Sequence, residues 1–199
     1  MNKLGMDVSH WQAVIDWKKA KSAGIDFAFI KATQGADIVD ARFIENWSNS
    51  QIEGVPRGAY HFYDPRIDPI AQAKHFLRVV PRSGEMPHVL DAEALKTTVP
   101  TRIPANYANS LRIFLEIVEQ TTGVRPIIYT AWSFWTTNCL NATWARQYPL
   151  WIANYNYAAP MCPIPWGGDG WTFWQFTDRG PGLTYGVQSK QIDLDVWRC

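Results

Sequence analysis

Short apolar runs of strand length alternate with helix-length amphipathic patterns through most of this chain, and the alternation stops after the fifth repeat. Leu4–Val8, Phe27–Ala32, Gly58–Phe62, His88–Glu93 and Pro126–Tyr129 read as strands. Helical stretches separate them. Asp16 caps a short helix stopped by Gly24, and residues 41–52 read as a second helix ending at Gly54. Asp68 and Pro69 provide a cap and a first-turn proline for a third. Pro104 opens the longest, in which Leu111, Phe114, Leu115 and Val118 recur at helical spacing before Gly123. Leu150–Tyr155, Trp171–Phe176 and Ile192–Trp197 then follow as plainer strands, linked by Pro/Gly-rich chain. Repeated βα units imply a parallel α/β sheet, and eight strands suffice to close it. The expected fold is an irregular TIM-like barrel of eight strands: five βα units followed by three strands with few helices. An open doubly wound sheet fits less well, because the chain has no GxGxxG turn and no P-loop.

With 199 residues, 47% of them hydrophobic, the chain can build one substantial core, and no linker or repeat divides it. A single domain over residues 1–199 is expected. A net charge of +1 gives no field to attract nucleic acid. No run of 18 apolar residues is present, so membrane insertion is not expected. The opening MNKLGMDVSHWQ lacks the apolar core of a signal peptide. Met1 reads as an initiator, which favours exit from the cell by another route over a leader removed before this numbering. Cys139, Cys162 and Cys199 are odd in number, so one at least is unpaired, and spacing cannot choose a bridge. Eleven tryptophans exceed what one small core needs, and the surplus suits either a surface that grips flat ligand faces such as sugar rings or an aromatic-rich core with exposed indole edges.

In parallel α/β folds chemistry gathers at the C-terminal strand ends. Asp7 lies near the end of the first strand, Asp91 and Glu93 end the fourth, and Asp193 and Asp195 lie in the last. First and last strands are neighbours in a closed barrel, so these acids can converge. Asp91 and Glu93 are two residues apart, about 6.6 Å along a strand, and point to one face. Glycoside hydrolysis needs one protonated carboxyl beside one ionised carboxylate. Crowding by Asp7, Asp91 and Asp193 is expected to keep Glu93 protonated near neutral pH. The competing readings are helix caps, salt bridges or a Ca²⁺ or Mg²⁺ site. The four histidines show no HxxxH-type spacing and GxSxG is absent.

The segments GMDVSHWQ, FAFIKATQG, GAYHF, HVLDAE, IIYTAW, LWIANY, FWQFTD and IDLDVW occur in this order from Gly5 to Trp197. Together they resemble the glycoside hydrolase family 25 lysozymes, the Chalaropsis-type muramidases that include many phage endolysins. The resemblance implies a barrel of five βα units plus three strands. It also implies cleavage of the β-1,4 bond between N-acetylmuramic acid and N-acetylglucosamine, with no cofactor. By motif, Glu93 resembles the general acid and Asp91 its partner, with Asp7 and Asp193 as flanking acids. Asp195 stands where the family's closing motif usually has Asn, Gln34 where it usually has Glu, and Trp197, Arg198 and Cys199 replace the usual Phe and Gly. Whether Asp91 attacks the sugar or orients the substrate's N-acetyl group stays open. Analogy with other D-x-E N-acetylhexosaminidases favours the second.

Tyr60, Tyr129, Trp151 and Trp174 lie on matching strand motifs and are expected to stack on pyranose rings or donate to N-acetyl groups. Lys31 is expected to pair with an acid or with a substrate carboxylate. Trp11, Trp132, Trp135 and Trp144 fall in helical or loop stretches, where packing is the default, and His61 reads as structural. Bacterial peptidoglycan is the expected partner of a monomer acting on the cell wall, reached by phage-type release from the cytoplasm or, as second choice, by secretion as a mature enzyme. The alternatives are a non-catalytic barrel that binds wall glycan and a chitinase-like N-acetylhexosaminidase.

Overall fold

The structure, a computed structural model, describes residues 2–81, 84–95, 102–155 and 157–199. Met1, read above as initiator-like, lies outside the described residues. Eight strands form a closed mixed barrel with five helices. Around the wall the order is β1 (Lys3–Val8), β2 (Phe27–Gln34), β4 (Arg57–Phe62), β5 (Val89–Asp91), β6 (Ile127–Ala131), β7 (Leu150–Ala153), β8 (Phe173–Pro181) and β9 (Gln191–Trp197). β9 returns to pair with β1, while β1 also pairs with β2, so the sheet has no open edge in the barrel. A two-residue strand, β3 (Ile38–Val39), hangs outside on β2. The helices are α1 (Trp17–Ser22), α2 (Phe43–Ile52), α3 (Pro69–Val79), α4 (Tyr107–Thr122) and α5 (Trp132–Asn138).

Local chemistry places the helix ends. The Asp16 carboxylate accepts from Lys19 N at 2.9 Å and that of Asp68 from Ala71 N at 2.9 Å. Gly123 closes α4 in the left-handed region at φ 73°. α5 has one buried residue, Trp135, and so carries no apolar stripe for the sequence to mark. The uniformly parallel wall expected from repeated βα units is corrected at β9. Residues 182–190 include only a single-turn 3-10 segment, too short for a parallel crossover, so β9 runs antiparallel to β8 and β1. Its N-terminal end therefore sits beside the C-terminal ends of the other strands.

Alternation along each strand divides two cores. Met6, Ala28, Ile30, Leu90 and Ile128 face the helices. Phe27, Phe29, Val89, Ile127, Trp151 and Phe173 fill the barrel interior. Phe173 stacks on Trp197 with ring centroids 5.5 Å apart, and Phe27 meets both edge-on. Gly5 lets that plug fit, since a Cβ there would stand 2.2 Å from the Phe27 ring. Gly5→Ala should lower stability by about 1–3 kcal/mol through overpacking. Urea denaturation reads this directly, and an unchanged midpoint would show that the ring can move aside.

Candidate active site

A cleft of about 1120 Å³ opens at the barrel mouth. Asp7, Asp91, Glu93 and Asp193 all line it, together with Lys31, Tyr60, Tyr129 and Trp151. Register brings the acids in from opposite sides. Asp7 on β1 stands directly across from Asp193 on β9. Asp91 closes β5, flanked in register by Phe62 and Tyr129.

The strand expected to carry both Asp91 and Glu93 stops at Asp91. Glu93 follows it because Ala92 is held from both ends. Ala92 N donates to Tyr129 O at 2.9 Å, and Thr130 Oγ1 donates to Ala92 O at 2.8 Å. Ala92 is fully buried on the helix side, so its neighbours keep to the cleft. Asp91 is buried and Glu93 half-buried.

Gln175 organises the floor. Its Nε2 donates to Asp7 Oδ2 at 2.7 Å, while its Oε1 accepts from Tyr129 at 2.9 Å and Tyr155 at 2.5 Å. The two phenols orient the amide so that its donor end meets the carboxylate. Burial holds the Asp7 carboxyl well above its ordinary 3.8, and Asp193, Asp195 and Asp91 push the same way against the Gln175 hydrogen bond. Burial also raises the Tyr60 and Tyr129 phenols, with nearby acids adding to it, so both remain hydroxyl donors. Lys31 donates to Gln34 at 2.9 Å and lies 4.7 Å from the Phe62 ring centroid. Burial lowers its ammonium pKa, while Asp91, Asp40 and Glu93 counter that shift. Gln34 thus serves as a neutral acceptor for the lysine.

Trp174 is not brought to the cleft. It alternates with Phe173 and Gln175, which point inward, and its Nε1 donates to Asn154 O at 2.7 Å beside Trp171 and Phe176. Packing holds for Trp135 and Trp144. It fails for Trp11 and Trp132, which line the cleft and are 75% and 40% exposed. A capping box explains Trp11. Ser9 and Gln12 satisfy each other's backbone around the turn that carries the indole outward. Gln175, Tyr155 and Tyr157 are further cleft residues that sequence reasoning did not assign. Gln175 and Tyr155 lie within the FWQF and IANY runs, whose strand parity is the signal that could have found Gln175.

No histidine is among the cleft-lining residues. His61 is fully buried behind the wall, with Nδ1 2.7 Å from Thr33 Oγ1 and Nε2 3.1 Å from Gln72 Oε1, and burial lowers it to about 3. Among the described residues no group of three or more His, Cys, Asp or Glu is arranged to hold a metal ion. Cys139, Cys162 and Cys199 are free thiols.

The sign of the Asp7 shift gives a stability test. Its folded carboxyl binds a proton more tightly than the unfolded one, so its contribution is full below the unfolded value and is lost as pH rises through the folded value. Asp7→Asn should match the parent chain in acid and exceed it in stability at neutral pH, as read by urea denaturation at both. Equal stability at neutral pH would contradict the burial of an acid there.

The family model for "Glycosyl hydrolases family 25" matches residues 6–183. The uncharacterized protein YegX of Escherichia coli K12 is 40% identical over 182 residues, 88% of this chain and 63% of YegX. Lysozyme M1 of Streptomyces globisporus is 36% identical over 192 residues, 88% of this chain and 62% of its own length. The chain therefore spans less than two thirds of these relatives. The crystal structure of the bacterial lysozyme from Streptomyces coelicolor superposes with a TM-score of 0.88 at 33% identity, over 99% of this chain and 92% of that one. With a barrel of this topology and a family match over most of its length, the chain belongs to the glycosyl hydrolases of family 25.

Proposed function

We propose that residues 1–199 form one catalytic domain that hydrolyses the β-1,4 bond between N-acetylmuramic acid and N-acetylglucosamine in bacterial peptidoglycan. The observation that carries this reading is the convergence of four carboxylates on one aromatic-lined cleft. Two of the similar proteins bear the name lysozyme, and one of these is alike over almost the whole chain. The cleft, about 1120 Å³, lies at the upper end of the roughly 300–1,000 Å³ usual for ligand pockets, which leaves room for more than one sugar ring.

In this reading Glu93 donates its proton to the glycosidic oxygen as the bond breaks, then draws a proton from the incoming water. Asp91 stays ionised and steadies the positive charge that develops on the sugar, or on the N-acetyl group that closes onto it. Asp7 and Asp193 flank the pair and make loss of the Glu93 proton costly. Tyr60 and Tyr129 supply hydroxyl donors, Trp151 an apolar face, and Lys31 a cation for a lactyl or peptide carboxylate. The enzyme thus works on the cell wall, without a cofactor.

Glu93→Gln should lower turnover of purified peptidoglycan by about 10²–10⁴-fold. Polymer binding and thermal stability should be retained. Mass spectrometry of the parent digest should find reducing ends at muramic acid. Reducing ends at N-acetylglucosamine, or freed amino groups, would refute the bond assignment, and substantial turnover by the variant would refute the role of Glu93. Trp11, exposed on the cleft rim, gives a second test. Trp11→Ala should raise KM several-fold, consistent with loss of about 1 kcal/mol of ring stacking, without shifting Tm. An unchanged KM would remove Trp11 from the glycan path.

A further inference from the structure

Asp195 is a buried acid to which the hydrolytic reading assigns no role. It does not line the cleft, yet it lies directly beneath it with no exposed surface. Across the sheet it faces Gly5 on β1 and Gln175 on β8. Its Oδ1 accepts from Trp151 Nε1 at 2.8 Å, and among the described residues its Oδ2 has no hydrogen-bond partner. The charged groups facing it are Asp193 on its own strand and Asp7 on β1, both acids. Trp151 on β7 and Gln175 on β8 bring no charge. Lys3 is engaged over the Trp197 ring, two residues further along β9.

An ionised carboxylate offers about four acceptor sites, and here one indole N–H meets them. Full burial beside two like charges makes the ionised form more costly than the neutral acid. Burial, with Asp193 adding to it, holds the Asp195 carboxyl well above the ordinary 3.8, and the Trp151 hydrogen bond opposes this.

Trp151 connects this acid to the site. Its ring packs edge-on to Tyr129 at 4.5 Å and lies tilted on Phe29 at 4.5 Å. Tyr129 donates to Gln175, and Gln175 to Asp7. We propose that Asp195 is a positioning residue which, as the neutral carboxylic acid, anchors the Trp151 indole and thereby the Tyr129–Gln175–Asp7 chain. A neutral acid supplies the acceptor without placing another negative charge beside Asp7 and Asp193. An asparagine carbonyl would anchor the indole equally well and could not ionise.

The test compares Asp195→Asn with the parent chain. The activity measurement rests on the hydrolase reading, so a second measurement avoids substrate. In the first, kcat/KM on peptidoglycan should stay within about twofold of the parent at acid and neutral pH, because the asparagine carbonyl keeps the anchor for the indole. In the second, the carbon-13 carboxyl resonance of Asp195 in the parent chain, assigned through its contact with the Trp151 indole, should titrate well above the ordinary carboxylate range. A folded Asp195→Asn chain with a more than tenfold loss at neutral pH overturns the proposal. So does a carboxyl that titrates in the ordinary range, whatever substrate the barrel cuts.

Discussion

Asp7 and Asp193 stand directly opposite each other on neighbouring antiparallel strands, a juxtaposition that sheets ordinarily avoid because like charges across a ladder destabilise it. The rest of the barrel mouth is organised around that constraint. The pair can exist only if protons, donors and packing offset the repulsion. Gln175 supplies a donor to Asp7, two phenols fix the orientation of that donor, and Trp151 supplies another to Asp195 below. Both buried acids, Asp7 and Asp195, are shifted toward the protonated form. The stability that this arrangement costs has to come from elsewhere, and the plug of Phe27, Phe29, Phe173 and Trp197 at the lower end of the same interior is the available source.

The antiparallel return of β9 produces the constraint. A parallel eighth strand would have delivered its C-terminal residues to the mouth and left Asp193 at the bottom. Because the β8–β9 connection, residues 182–190, is too short for a crossover, the start of β9 reaches the mouth, and the closing pair forms with Asp193 at the level of Asp7. Barrel closure and acid clustering are therefore one event, and a change that slips the β1–β9 register by one residue would turn every acid on β9 out of the interior.

Much of this was legible in the chain. Five strands and the first four helices followed from apolar periodicity and from caps such as Asp16, Asp68 and Gly123, because those signals are local, whereas α5 has neither a stripe nor a side-chain cap. The acids were legible because β1, β5 and β9 end or begin with them. What stayed hidden depends on non-local geometry. The hand of β9 depends on how short its connection is once folded. Glu93 keeps its direction through Ala92 hydrogen bonds to β6 rather than through a strand of its own. Trp174 was misplaced by one step of parity, since the FWQF run does not itself say whether Phe173 or Trp174 faces inward. Gln175 carries no charge and so drew no notice, although it joins Tyr129, Tyr155 and Asp7 at the cleft floor.

The tryptophans show the same limit from the other side. Their number in the sequence suggested a ligand surface, but number alone cannot divide them among tasks. Trp197 plugs the lower barrel, Trp135 and Trp144 seal the outer core, Trp151 joins the interior to the cleft floor, and Trp11 and Trp132 stand on the rim. The two rim residues sit on a 3-10 turn and at the first residue of a short helix, segments whose sequence looks like ordinary packing. Their exposure follows from where β1 and β6 end. Just past a strand's C-terminus a ring can face the opening, as Trp11, Trp132 and Tyr155 do, or turn back into the outer core, as Tyr63 does directly after β4. Position relative to the strand ends together with the side to which the chain turns there, more than residue type, therefore separates the aromatics that hold the barrel together from those available to a glycan.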